Sequence, residues 1–182
     1  MTTAFQKAFV HTVGVEGGYS NDPADPGKAT KFGITERVAR ENGYQGDMRD
    51  LPLEFAEGVY RAKYWELIHL DVVSTLSEPI AIELFDTAVN CGVAFAAKSF
   101  QQALNAFNRE QRDYEDIEVD GLIGPATVRA LRGLLALRGV EGEQVFLTAL
   151  NTLQGAYYIQ IAERRPASEK FIYGWFKQRV KI

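Results

Sequence analysis

Glu16-Gly17-Gly18-Tyr19, Asn21-Asp22-Pro23-Ala24-Asp25-Pro26-Gly27 and Thr30-Lys31-Phe32-Gly33-Ile34-Thr35 follow one another and gather three carboxylates with several hydroxyls into one short stretch. Upstream, Phe5, Ala8, Phe9, Thr12 and Glu16 recur at helical spacing, which predicts a helix from about Thr3 with Glu16 on its core-facing stripe. Partial burial and the negative end of a helix dipole both disfavour a charged carboxylate, and that is how a general acid is made. Gly17 and Gly18 stop such a helix, and the Asp-Pro and Asn-Asp steps predict consecutive turns. A loop of this kind brings Asp22 or Asp25 back toward Glu16, giving two carboxylates in unlike surroundings. Glycoside hydrolysis needs that asymmetry, because one group donates a proton while the other stays ionised. Spacing alone equally allows a solvated Glu16 and aspartates that only hold turns through side-chain to backbone bonds.

The elements that must position these residues read mainly as helices. Thr35 caps a helix through Val38 that stops at Gly43, with a short strand at Gly33-Ile34 before it. Asp50-Leu51-Pro52 opens a helix with Leu53, Ala56, Tyr60, Tyr64 and Leu67 as its buried stripe. Tyr64 and Trp65 offer aromatic faces that suit either a core or a sugar ring. Ser77 and Pro79 start a helix that ends at Cys91-Gly92; Asp86 and Asn90 lie one turn apart on it, placed to bind sugar hydroxyls or to tether neighbouring loops. A further amphipathic helix carries Val93, Ala96, Ala97, Phe100, Leu104 and Phe107. The polar run from Asn108 to Glu118 predicts an exposed, mobile connection. Pro125 opens a helix with Val128, Leu131 and Leu135 inward, a long helix runs from about Glu143 to Glu163, and Phe171, Gly174, Trp175 and Phe176 form a last short helix that clamps the terminus.

Composition limits the remaining choices. The 182 residues are 46% hydrophobic with a formal net charge of -4, enough for one good core and without a general basic surface for nucleic acid. Cys91 is the only cysteine, so no intrachain disulfide forms. Neither a signal peptide nor a membrane span is legible. Asp116, Glu118, Asp120 and Gly121 have the opening rhythm of a calcium loop, but Thr127 stands where the closing glutamate belongs. His11, His69 and one cysteine make no convincing metal site, so neither metal nor cofactor is expected.

The run from Glu16 to Thr35 resembles the signature of the glycoside hydrolase 108 family of N-acetylmuramidases: Glu-Gly-Gly-Tyr, then Asn-Asp-Pro-x-Asp-x-Gly, then Thr-x-x-Gly-Ile-Thr. Tyr60-Arg61-x-x-Tyr64-Trp65, the Phe85-Asp86-x-Ala88-Val89-Asn90-x-Gly92 string and Phe171-x-x-Gly174-Trp175-x-x-Arg179 are also similar to that family. More loosely, Glu16, Asp25 and Thr30 resemble the Glu, Asp and Thr of phage-type lysozymes. Val119-Asp120-Gly121-x-x-Gly124-Pro125-x-Thr127 is similar to the turn of helical peptidoglycan-binding modules.

The resemblance implies an all-α, lysozyme-like fold with at most a short β-hairpin near residues 19–35. It divides the chain into a catalytic region over 1–90 and a helical peptidoglycan-binding-like region over 91–182, packed into one globule. It implies cleavage of the β-1,4 bond after N-acetylmuramic acid in peptidoglycan glycan strands, with Glu16 as general acid, Asp25 or its rival Asp22 as second carboxylate, and Thr30 and Thr35 ordering water or the loop. Tyr19, Thr35, Tyr64, Trp65, Asp86 and Asn90 would then contact substrate. An endolysin role is implied, in which a monomer made in the cytoplasm reaches the wall once a holin opens the membrane. A lytic transglycosylase using the same Glu16 and a non-catalytic wall-binding or secretion-accessory protein are the competing readings.

Overall fold

The computed structural model describes residues 2–14, 18–21 and 29–180. Glu16, Asp22 and Asp25 lie outside these described residues.

Helix α1 (Ala4–Thr12) starts at a reciprocal cap: the Gln6 amide donates to the Thr3 hydroxyl at 3.2 Å, and the Thr3 amide donates to the Gln6 side chain at 3.0 Å. Phe5, Ala8 and Phe9 are its buried face. The helix ends at Thr12, earlier than its apolar spacing suggests. Gly14 takes a left-handed φ of 78° and so ends it before Gly17 and Gly18 are reached.

Strands β1 (Ser20–Asn21), β2 (Ala29–Lys31) and β3 (Ile34–Thr35) form one antiparallel sheet in that order. The sheet has one strand more than the expected hairpin, because Phe32 and Gly33 both take positive φ (49° and 71°) and make a two-residue turn between Lys31 and Ile34. Thr35 then caps α2 (Glu36–Glu41), accepting from the Val38 amide at 3.3 Å, and Gly43 at φ 91° follows its end. A 3-10 turn (Met48–Asp50) leads to α3 (Leu53–Tyr60).

Helix α3 continues as a π-helical segment, Arg61–Glu66. Its wider turn breaks the expected stripe. After Tyr60 the next buried residues are Trp65 and Ile68, while Leu67 is 63% exposed. His69, at φ 54°, opens α4 (Leu70–Leu76), a short helix with no sequence-level cap that the sequence reading missed.

Helix α5 (Glu78–Cys91) begins on the Ser77 hydroxyl, which accepts from the Ile80 amide at 3.1 Å, and ends at Gly92, φ 98°. It is the hub of the fold, touching α1, α4, α6 (Val93–Ala106) and α7. Helix α7 spans Pro125–Arg164 and is interrupted at Gly139, so the two separate helices expected there meet at a kink. A 3-10 turn (Pro166–Ser168) precedes α8 (Glu169–Arg179). The fold is therefore mainly helical and lysozyme-like with a small sheet, and one contiguous core runs from Phe5 through Phe85 and Phe100 to Leu150.

The buried face of the second part of α7 is rotated from the apolar stripe that the spacing of Val145, Phe146, Ala149, Leu150, Leu153, Ala156, Tyr157 and Ile161 predicts. Asn151, Gln154 and Gly155 are buried beside Leu150 and Tyr158, while Val145 and Ala156 face solvent. The connection from Asn108 to Glu118 is polar as expected, yet it is tied down. Asn105 exchanges two hydrogen bonds with the Ile117 backbone (2.8 and 2.9 Å), the Tyr114 hydroxyl donates to the Leu104 carbonyl at 2.8 Å, and Arg109 pairs with Asp113.

Candidate active site

Sheet pairing gathers the hydroxyl-bearing residues of the candidate site. Thr30 lies directly opposite Ser20 on one side and Thr35 on the other, and directly opposed residues project from the same face of a sheet. Ser20 and Ala29, each four positions after a candidate carboxylate (Glu16 and Asp25), sit on these neighbouring strands. Thr35 also serves as the α2 cap, so its hydroxyl is committed to the backbone as well as placed near Thr30.

The rim of the sheet is aromatic and cationic. Tyr19 is 38% exposed, and the Arg49 guanidinium lies 5.4 Å from its ring centre. Lys31 reaches the Arg49 carbonyl with its ammonium group, holding the 3-10 turn against β2. Beneath the Phe32-Gly33 turn lies Tyr60. A Cβ on Gly33 would run into the Tyr60 hydroxyl oxygen, so a side chain there would have to displace that ring as well as adopt the positive φ. Burial first, and the neighbouring Tyr64 second, push the Tyr60 phenol up to about 12. The half-buried Tyr64 ring packs on Tyr60 at 5.5 Å.

Trp65 does not offer a face to a ligand. It is fully buried, donates its indole N–H to Asp71 at 2.8 Å, and packs edge-on against Phe5 and Phe85 at 5.6 and 5.9 Å. The π-helical turn is what moves it inward. Asp86 and Asn90 do share one face of α5, but that face is a tether. The Asn90 side-chain amide donates to the Asp86 carbonyl at 2.9 Å and its carboxylate at 3.1 Å, and Gln154 of α7 donates to the other carboxylate oxygen at 2.7 Å. With Asp86 only 3% exposed, this pair joins two helices and does not present itself to a sugar.

One turn along α5, Cys91 faces the hydroxyl of Tyr158, and burial pushes the thiol up to about 12. Burial likewise raises the Tyr158 phenol above its ordinary range. Sequence reasoning missed Arg49, Asp71 and Gln154. The only available signal was Gln154 itself, a polar residue one turn from both Leu150 and Tyr158.

The Asp-Gly-x-x-Gly-Pro-x-Thr stretch closes around another missed residue, Gln101 of α6. Its side-chain amide donates to Asp120 at 2.7 Å and to the Leu122 carbonyl at 3.1 Å, and its carbonyl accepts from the Gly121 amide at 2.8 Å. The motif is thus a structural knot that fixes the start of α7. Among the described residues no group of His, Cys, Asp and Glu is arranged to hold a metal ion, and no helix is long and apolar enough to cross a membrane.

The class of protein comes from comparison with known families, which make this a glycoside hydrolase that acts on peptidoglycan. Residues 9–92 match the family model described as Glycosyl hydrolase 108, and residues 95–180 match the one described as Predicted Peptidoglycan domain. Among solved structures the chain is similar to Brucella abortus SagA, at 26% identity and a TM-score of 0.66 over 95% of this chain and 87% of that one. No significant match is found among curated proteins.

Proposed function

We propose that this hydrolase is an N-acetylmuramidase that cleaves the β-1,4 bond between N-acetylmuramic acid and N-acetylglucosamine. Glu16 is the general acid that protonates the glycosidic oxygen. Asp25, with Asp22 as its rival, is the carboxylate that steers water or steadies the oxocarbenium-like transition state. Thr30 orders that water or the loop, and Tyr19, Thr35 and Tyr64 contribute to the substrate surface around it. The observation that carries this reading is the location of the whole Glu16-to-Thr35 motif within the matched hydrolase stretch, its two arms joined by the β1–β2 pairing. The role extends to that of an endolysin, a monomer made in the cytoplasm and released to the wall when a holin opens the membrane. Recovery of the native protein outside intact, holin-free cells would overturn that part.

The test is mass spectrometry of fragments released from purified peptidoglycan by the native protein and by Glu16→Gln. The substitution keeps shape and hydrogen-bonding reach but removes the proton, so reducing-end muropeptides should come from the native protein alone. Anhydro-muropeptides would reveal a transglycosylase instead. An absence of fragments from either protein would leave a wall-binding protein. Asp25→Asn should cost more turnover than Asp22→Asn; the opposite order would move the second-carboxylate role to Asp22.

A further inference from the structure

Gly174 lies in the interior of α8, where glycine destabilises a helix relative to alanine. Neither ordinary reason for a glycine applies. Its φ is not positive, and a Cβ built on it would meet no atom within 4 Å. What surrounds it on the outer face of α8 is specific. Lys170, Tyr173 and Lys177 follow at spacings of three and four, so they form one stripe along the helix. Tyr173 is 79% exposed. On the other side of Gly174 stand Phe171, half exposed with the Lys170 ammonium 4.8 Å from its ring centre, and Trp175, the two rings 5.9 Å apart and inclined by only 21°. The inner side of the helix is anchored, with Trp175 against Tyr158 at 4.9 Å and Phe176 packed over Gly155. The aromatic groups therefore flank an open floor on a fixed support.

The charge of this region is opposite to that of the chain. Five basic residues against two acidic ones lie between Glu163 and Arg179, in a protein of net charge -4. Among the described residues Arg164, Arg165, Lys170, Lys177 and Arg179 make no salt bridge with one another's neighbours or with the rest of the chain. A ligand that lays flat C–H faces on aromatic rings and carries carboxylates fits both features. The peptidoglycan glycan strand is such a ligand, since its pyranose rings carry lactyl-linked stem peptides with free carboxylates.

We infer that the outer face of α8 is the glycan-docking surface of the C-terminal region, with Gly174 as its floor, Tyr173 and the Phe171–Trp175 pair as its walls, and Lys170 and Lys177 as its anion contacts. This rests on reading residues 95–180 as the wall-binding part of the protein. Gly174 is glycine because a sugar ring must approach the helix backbone there.

The test is co-sedimentation of the full-length chain with sacculi stripped of protein and secondary polymers, in a Glu16→Gln background that leaves the strands intact. Tyr173→Ala and Gly174→Leu leave the charge unchanged, and each should weaken binding roughly tenfold, equivalent to about 1.4 kcal/mol. Thermal melts should show Tyr173→Ala unchanged and Gly174→Leu no less stable than the parent, as for an exposed helix position. If both variants sediment like the parent, the docking surface lies elsewhere and the inference fails while the wall-binding reading stands. If the Glu16→Gln parent itself does not sediment, both fall.

Discussion

Replacing Gln101 by Leu tests whether the Asp-Gly-x-x-Gly-Pro-x-Thr turn is a structural knot. Gln101 is 1% exposed, and leucine fills nearly the same volume, so what changes is hydrogen bonding. The Gly121 amide loses its partner at 2.8 Å, and the Leu122 carbonyl loses the 3.1 Å bond while keeping that from the Gly124 amide at 2.9 Å, each lost bond being worth about 1 kcal/mol. Asp120 is solvent-facing and is left out of that sum. A loss of about 2 kcal/mol lowers Tm by roughly 4–8 °C in a chain of this size. Circular dichroism melts and urea midpoints would measure it.

The same variant changes the acid limb. Gln101 first, and the Leu122 amide second, hold the Asp120 carboxyl below its ordinary value. That contribution is present above the ordinary carboxylate value and disappears as pH falls through the depressed folded one. Stability should therefore fall less steeply with acid in Gln101→Leu than in the native chain. Gln101→Glu places a second carboxylate where the amide stood, 2.7 Å from Asp120, so it should be the less stable variant at neutral pH and recover as the pair takes up a proton. A Tm shift under about 1 °C for Gln101→Leu would refute the knot.

Gly33→Ala should cost about 2 kcal/mol, because it adds a left-handed penalty to a Cβ that displaces the Tyr60 hydroxyl. Adding Tyr60→Phe should return part of that loss in a double-mutant cycle, and strict additivity of the two changes would exclude the contact. Cys91, with its thiol pushed from 9.0 up to about 12, should alkylate at pH 8 roughly a thousandfold more slowly in the folded protein than in urea. Folded and unfolded rates within a factor of about ten would contradict its burial against Tyr158.

Where a feature depended on a residue and its immediate neighbours, it was legible before the fold was known. Thr35 and Ser77 as caps, Gly43 and Gly92 as stops and Pro125 as a helix opener each act within one turn of chain. The failures share the opposite property. Asp86 meets Gln154 across 68 positions, so nothing near Asp86 marks it as a tether. The apolar count misplaced the face of α7 because Asn151 and Gln154 are buried with their side-chain amide N–H groups donating to the Leu147 carbonyl and the Asp86 carboxylate, which hydrophobicity does not register. An aromatic face suits a sugar ring and a core alike, and only the packing of Trp65 against Phe5 and Phe85 from other helices decides between them. The sheet was partly visible: Gly33 signalled the turn, but the Tyr60 oxygen that crowds its Cβ position comes from a different element.

The boundary between the two family matches falls between residues 92 and 95, beside the Gly92 turn, but the physical structure crosses it. Helix α5 packs on α1 with one face and on α7 with another, and the second contact contains the Asp86–Gln154 bond and the Cys91–Tyr158 approach. Pulling α7 away would break the buried Gln154–Asp86 hydrogen bond and expose the apolar surface that α5 and α7 bury together, so the junction resists opening. Tyr158 then passes the connection outward, because its other face carries Trp175 of α8. A continuous set of contacts therefore runs from the hydrolase half through α5 and Tyr158 to the exposed aromatic face of α8. A glycan held on that face would be presented from a support built into the same core as the hydrolase half, rather than from a tethered module that searches independently.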